Sequence, residues 1–279
     1  MKTRIIIDST CDLTPEIKKQ VHVVPLTVHF GEEEYIDGVT IDHKQFYEKL
    51  IENDVHPSTS QASPAAFEEE YEKAKAAGES AVVITLSSKL SGTYQSAVIA
   101  TEDYGDIYVV DSASVTLGTS ILVELALRLA EQGLTAAEIA KQLEEEKKKI
   151  VLVALVDTLE YLKKGGRISK TVAAFGTVLN IKPVLSVVDG EIQMLGKARG
   201  SKMGNNLLVQ EINKAGGVDF SKPFLLGYSG LSDALLLKYI EDSRYLWEEG
   251  SSEIRYTTVG SVIGTHAGPG AVAVAFFRK

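Results

Sequence analysis

The sequence predicts a two-domain α/β protein, and three observations carry that prediction. The 279 residues are 44% hydrophobic and 24% charged with a mean hydropathy of +0.03, enough for two buried cores and far from the composition of disordered chains. Up to about residue 150, short apolar strands alternate with helical patterns across polar loops, the grammar of a parallel sheet in a three-layer domain with helices on both faces. Beyond residue 150, two β-rich runs, 184–188 and 191–195, flank Asp189-Gly190, a dipeptide suited to a type I′ hairpin turn, so the second domain is α/β with a largely antiparallel sheet. The expected domains are therefore residues 1–150 and 151–279.

Arg4-Ile5-Ile6-Ile7 reads as a buried strand, followed by the polar turn Asp8-Ser9-Thr10-Cys11-Asp12 and a helix capped by Thr14 with Pro15 in its first position. Residues 21–30 are a second β-rich run, 31–35 a turn into a polar strand, and Asp42 caps a helix reaching about Ile51. Ser63-Pro64 opens the next helix, which runs to about Ala77; residues 81–84 are a strand, a helix follows Gly92, and 107–110 form a strand ending in Asp111-Ser112. Two long helical patterns, 114–132 and 135–149, are separated by Gly133, and the second opens with the capping-box pair Thr135 and Glu138. A short helix is expected over 158–164.

Formal charge is −9, with 29 Lys and Arg against 38 Asp and Glu and no long basic block, which argues against nucleic acid as a partner. The cluster Lys147-Lys148-Lys149 after Glu144-Glu145-Glu146 is a solvated helix end. No apolar run approaches the roughly 18 to 20 residues of a membrane span, and the stretch before Asp8 is too short for a signal-peptide core. A single cysteine, Cys11, suits a reducing compartment, so a cytoplasmic protein is expected. HExxH, an EF-hand loop, Cys/His clusters and the GxxxxGK[ST] phosphate loop do not occur in the sequence, so neither a metal nor ATP is expected on this chain.

Three loops are rich in small hydroxyls: residues 8–12, Ser58-Thr59-Ser60-Gln61, and 87–93 with Leu90-Ser91-Gly92-Thr93 at its centre. Hydroxyls and free amides where strands end and helices begin bind anions, and they also simply cap helices. Three on one predicted sheet edge point to a shared anion site. His266 stands in Gly264-Thr265-His266-Ala267-Gly268-Pro269-Gly270, a segment read as too glycine-rich for a helix. There the imidazole is either a structural group or a donor to a buried carboxylate. His22, His29, His43 and His56 show no ligand spacing. Arg167 after Gly165-Gly166 and Arg199 before Gly200 are read as turn residues among Lys163, Lys164 and Lys197. Either they aid solubility, or they handle phosphate or dock a partner, reaching outward with little packing role. Gly227-Tyr228-Ser229-Gly230-Leu231 lacks the last glycine of a nucleophile elbow, and Asp8-Ser9-Thr10 lacks the second Asp of aspartyl-phosphate hydrolases.

Together these residues resemble the DegV family of bacterial fatty-acid-binding proteins, which present acyl chains to a fatty acid kinase. The matching segments are Asp8-Ser9-Thr10, residues 58–63, Leu90-Ser91-Gly92-Thr93-Tyr94-Gln95-Ser96-Ala97, 159–168, Gly196-Lys197-Ala198-Arg199-Gly200 and 264–271. They run in family order over nearly the whole chain. Ala62 departs from the proline the family often carries after Thr59-Ser60-Gln61, which only slightly loosens the expected helix start. The resemblance implies one long-chain fatty acid in an apolar tunnel between the domains. Thr59, Ser91, Gly92 and His266 would then hold its carboxylate, with Ser60 and Thr93 in second rank. It further implies a substrate-presenting subunit without catalysis or cofactor of its own: the partner kinase brings ATP and metal, and Arg167 and Arg199 meet the kinase or the new phosphate. A lipid carrier or sensor without a kinase is the competing class, followed by a phosphatase-like hydrolase.

Overall fold

The computed structural model describes residues 2–53, 55–168, 181–247, 250 and 254–279. The first half comprises β1 (Thr3–Asp8), α1 (Pro15–Lys18), β2 (His22–Val24), β3 (Thr27–Phe30), β4 (Glu33–Ile36), α2 (His43–Glu52), β5 (Ser58–Ser60), α3 (Pro64–Ala76), β6 (Ser80–Thr85), α4 (Thr93–Ile99), β7 (Ile107–Asp111), α5 (Leu117–Glu131) and α6 (Ala136–Glu146). There follow β8 (Ile150–Leu155), α7 (Glu160–Lys164), β9 (Ile181–Val188), β10 (Glu191–Arg199), α8 (Gly200–Lys214), β11 (Phe224–Tyr228), α9 (Ala234–Asp242), β12 (Tyr256–Thr258), α10 (Ser261–Ala267) and β13 (Val272–Phe277).

The α/β expectation holds. Strands β2-β1-β6-β7 form a parallel sheet, and β10-β9-β8-β13-β11-β12 a second sheet that is antiparallel except for the β11–β12 pair. Ile5, Ile7, Val82 and Ile84 meet α5 and α6 on one face of the parallel sheet; Ile6, Ala81 and Val83 meet the aromatic layer of Phe46, Phe67 and Tyr71 on the other. The capping boxes at Asp42 and Thr135 form, and the Asp189-Gly190 turn has φ of 51° and 82° as a type I′ turn requires. Among the described residues no helix is long and apolar enough to cross a membrane.

Five local expectations are corrected. The run 21–30 is broken by Pro25, which cannot donate to a ladder: β2 joins the parallel sheet, while β3 leaves it to pair with β4 and β5 in a separate antiparallel sheet. Residues Ser58–Ser60 are therefore a strand, with Thr59 opposite Val28, and not a strand-to-helix loop. The helix expected from 114 begins at Leu117, because Ala113 and Thr116 adopt φ of 50° and 47°. The glycine-rich segment around His266 contains helix α10, ending at Gly268 with φ of 70°. A helix with an internal glycine pays backbone entropy, but tertiary contact demands that glycine here. A Cβ on Gly264 would lie 2.6 Å from Tyr47 Oη and 2.7 Å from Phe46 Cε1. Arg199, finally, is the last residue of β10 and not a turn residue.

Candidate functional site

A cavity of about 380 Å³ opens between the two main sheets. Its walls are apolar: Leu86 and Val115 from the first half, Leu152, Ala154, Leu185 and Ala273 from the second sheet, and Val262 and Ile263 from α10. The paired Ala273 of β13 and Ala154 of β8 both line the cavity, so small side chains keep the sheet face low where the cavity passes. The volume and composition match small-molecule pockets, which are mostly apolar with a few placed polar groups.

Those polar groups come from four elements. Strand β5 supplies Thr59, whose Oγ1 lies 3.0 Å from His266 Nε2 at the end of α10. The loop between β6 and α4 supplies Ser91 and Gly92; Ser91 Oγ lies 2.9 Å from Thr93 Oγ1 and accepts from Thr93 N at 3.3 Å. The turn after α7 supplies Arg167, whose Nε donates to the Leu90 carbonyl at 3.2 Å and Nη1 to the Gly165 carbonyl at 2.7 Å. Burial pushes the His266 imidazole down to about 4, with the positive charges of Arg167 and His56 acting the same way. It is neutral at physiological pH. Its Nδ1 is buried without a hydrogen-bond partner among the described residues, lodged against Gly165, where a Cβ would fall 2.0 Å from it.

Of the residues singled out in the sequence, Thr59, Ser60, Ser91, Gly92, Arg167 and His266 all line this cavity. The Ser60 hydroxyl is bonded to His29 Nε2 at 2.8 Å. Thr93 is fully buried behind Ser91 and does not line the cavity. Arg199 is exposed at the end of β10, away from the lining. The outward-reaching reading of Arg167 is corrected: the side chain is half-buried, faces the cavity and ties the β6–α4 loop to the α7 turn.

The 8–12 loop is likewise not part of the site. Asp8 is fully buried and accepts from Thr10 N, Thr10 Oγ1 and Leu86 N, clasping the ends of β1 and β6. Gln61 and Gly165 lie inside the segments 58–63 and 159–168, but their residue types do not mark them as site residues. Gln61 lines the cavity and reaches across Gly92 to donate to Ser96 Oγ at 3.0 Å; a Cβ on Gly92 would meet Gln61 Oε1 at 2.1 Å. The Gly165-Gly166 doublet was visible in the sequence, but only the imidazole against it explains the first glycine. No group of three or more His, Cys, Asp or Glu among the described residues is arranged to hold a metal ion.

The model of the DegV family, described as an uncharacterised protein family, matches residues 2–279. The chain belongs to the DegV family. A DegV domain-containing protein of Caldanaerobacter subterraneus is 38% identical over the whole of this DegV chain and 99% of its own, and one of Clostridium perfringens is 34% identical with the same coverage. Among solved structures, a fatty-acid-binding DegV protein of Thermus thermophilus superposes with a TM-score of 0.88 at 30% identity, covering 99% of this chain and all of its own. A stearic-acid-binding protein of Eubacterium ventriosum gives 0.86 at 28%, with 99% and 98% covered. The fatty acid kinase (Fak) B3 protein of Streptococcus pneumoniae, loaded with linoleic acid, gives 0.87 at 25%, with both chains covered in full.

Proposed function

We propose that this chain binds one long-chain fatty acid and presents its carboxyl end to a partner fatty acid kinase in the cytoplasm. The observation that carries the reading is an apolar cavity at which the Thr59 and Ser91 hydroxyls, the His266 imidazole and the Arg167 guanidinium come together from β5, the β6–α4 loop, α10 and the turn after α7. Solved relatives bind fatty acids in the same fold, and one of them is a fatty acid kinase protein. The division of labour follows from transfer energies. Burying about fourteen methylenes at roughly 0.8 kcal/mol each supplies about 11 kcal/mol before the costs of association. A carboxylate buried without partners would forfeit several kcal/mol of it, so convergent donors are required.

Thr59, Ser91 and the Gly92 backbone are those donors in this reading, with His266 acting through Thr59 and Thr93 orienting Ser91. A neutral His266 that donates from Nε2 to Thr59 leaves the threonine's own proton for the ligand. Its bare Nδ1 then faces Gly165, where an N–H would be stranded. Arg167 supplies the positive charge at the head of the cavity, and exposed Arg199 remains for partner contact. The two domains divide near residue 150, with the acid between them, and ATP and metal come with the partner.

Organic extraction of the folded protein followed by mass spectrometry tests the binding step; about one long-chain acid per chain is expected. Absence of lipid together with no binding of added palmitate or oleate rejects it. Presentation is tested separately with Arg199→Glu in a coupled assay with a fatty acid kinase: ligand occupancy should persist while acyl-phosphate formation collapses. Unchanged turnover would remove Arg199 from the partner contact.

A further inference from the structure

Helix α10 comes late in the chain, yet it is seated among early elements. It packs against α2, β3 and β5 as well as α7, and Val262 belongs to the same apolar cluster as Phe46 and Tyr47. Seven residues are far too few for a stable helix by propensity, so its position is set by what holds it. Its first turn is held by two buried carboxylates from the first half. Asp12 Oδ1 accepts from the Gly260 amide at 2.7 Å, and Asp37 Oδ1 accepts from the Ser261 hydroxyl. Asp12 is 4% exposed and Asp37 5%, so neither bond is shared with bulk water. The other oxygen of Asp12 accepts from Thr116, which lines the cavity, and Tyr47 Oη donates to the Val259 carbonyl at 3.0 Å just before the helix. His266 lies on the last turn of this same helix, and the only hydrogen bond its ring makes among the described residues is to Thr59.

We propose that Asp12 and Asp37 are positioning residues for head-group recognition. By pinning Gly260 and Ser261 at one end of α10 they set where His266, at the other end, meets Thr59, the donor to the ligand's carboxylate. The inference rests on the fatty-acid-binding reading above and deepens it, adding two residues that touch neither ligand nor cavity head. The physical reason is leverage on a short rigid element. A helix rises about 1.5 Å per residue, so a shift at Gly260 is carried to His266 with little to absorb it, and a hydrogen bond fails over less than an ångström. Burial raises Asp12 to about 8, which has a practical corollary. The amide of an asparagine can offer Gly260 the same oxygen, so Asp12→Asn is a conservative variant at this site.

The test compares palmitate with hexadecanol, which shares the tail and lacks the carboxylate, by equilibrium dialysis against the full chain. Asp12→Leu removes the acceptor for Gly260, and Ser261→Ala removes the donor to Asp37. Each should weaken palmitate about 5- to 30-fold, the range of one well-placed polar interaction, and change hexadecanol less than about twofold, whereas Asp12→Asn retains palmitate. In a His266→Ala background neither change should weaken palmitate further, because coupled residues are non-additive. The ¹⁵N imidazole resonances of His266 should move in both variants without any ligand present. Equal losses for palmitate and hexadecanol, full additivity with His266→Ala, or an unmoved imidazole would each overturn the proposal. If Asp12→Leu does not fold, Ser261→Ala decides alone. A parent chain that binds no palmitate would reject the binding reading instead, while the imidazole spectra still report whether the two carboxylates set His266.

Discussion

The buried Asp8 and Asp12 and the half-buried His266 give this protein opposing pH dependences. Asp8 and Asp12 ionise near 3.8 in an unfolded chain, but burial raises them to about 6 and about 8, against the pull of their hydrogen bonds. Between those values the folded state keeps protons that the unfolded chain has lost, so stability falls as pH rises from about 4 towards 8. His266 acts in the other direction. Below its ordinary 6.5, and down to about 4, the unfolded chain takes up a proton that the folded chain refuses, so this group costs stability as pH falls. Urea denaturation of Asp12→Asn should show a flatter decline between pH 6 and 8 than the parent, and a parallel decline would mean that Asp12 is ionised throughout. At the same scale, Gly165→Ala places a methyl where His266 Nδ1 sits. Palmitate affinity should drop by roughly 1 to 3 kcal/mol, the worth of a charge-assisted hydrogen bond, with the circular dichroism spectrum unchanged.

Two elements owe their form to what they touch rather than to their own propensity. In an ordinary helix, replacing glycine by alanine stabilises by about 1 kcal/mol. In α10 the same change at Gly264 drives a Cβ to within 2.6 Å of the Tyr47 hydroxyl. Gly264→Ala should therefore destabilise, by about 1 to 3 kcal/mol as for other overpacked sites, and an increase in the urea midpoint would show that Tyr47 yields. The hairpin of β9 and β10 is the second case. Its turn docks on the first half, where Ser87 Oγ donates to the Gly190 carbonyl at 2.7 Å, and a Cβ on Gly190 would lie 2.5 Å from that oxygen at a φ of 82°. Gly190→Ala combines backbone strain with a clash and is expected to cost more than 1 kcal/mol. Asp189→Asn, which keeps the turn chemistry, should be nearly neutral.

At the level of the whole molecule, the ligand of the proposed function is itself part of the core between two sheets. A group that binds only the folded state stabilises it by mass action, about 2.7 kcal/mol at a hundredfold excess over Kd. Delipidated protein should melt at lower temperature than loaded protein, with a midpoint that rises as palmitate is added. A midpoint indifferent to palmitate would count against the cavity as its site.

Elements whose causes are local can be read from the order of the residues. Thr135 and Glu138 announce a capping box, Asp189-Gly190 a type I′ turn, and Ile5-Ile6-Ile7 a strand buried on both faces; each appears as read. Most of the cavity's polar residues were legible as well, because Thr59, Ser91, Gly92 and His266 stand in motifs. It took the folded chain to show that residues 58–60 pair with β3, that glycine-rich 261–267 is helical, and that Arg167 turns inward. The same holds for Asp12 and Asp37, which reach α10 across more than two hundred residues. The reason is common to all of these. A cap or a turn is satisfied by atoms within four residues, and its partners are written beside it. A glycine that exists to admit a distant tyrosine or imidazole, or a carboxylate that serves a remote amide, has its cause in a contact that only the folded chain creates.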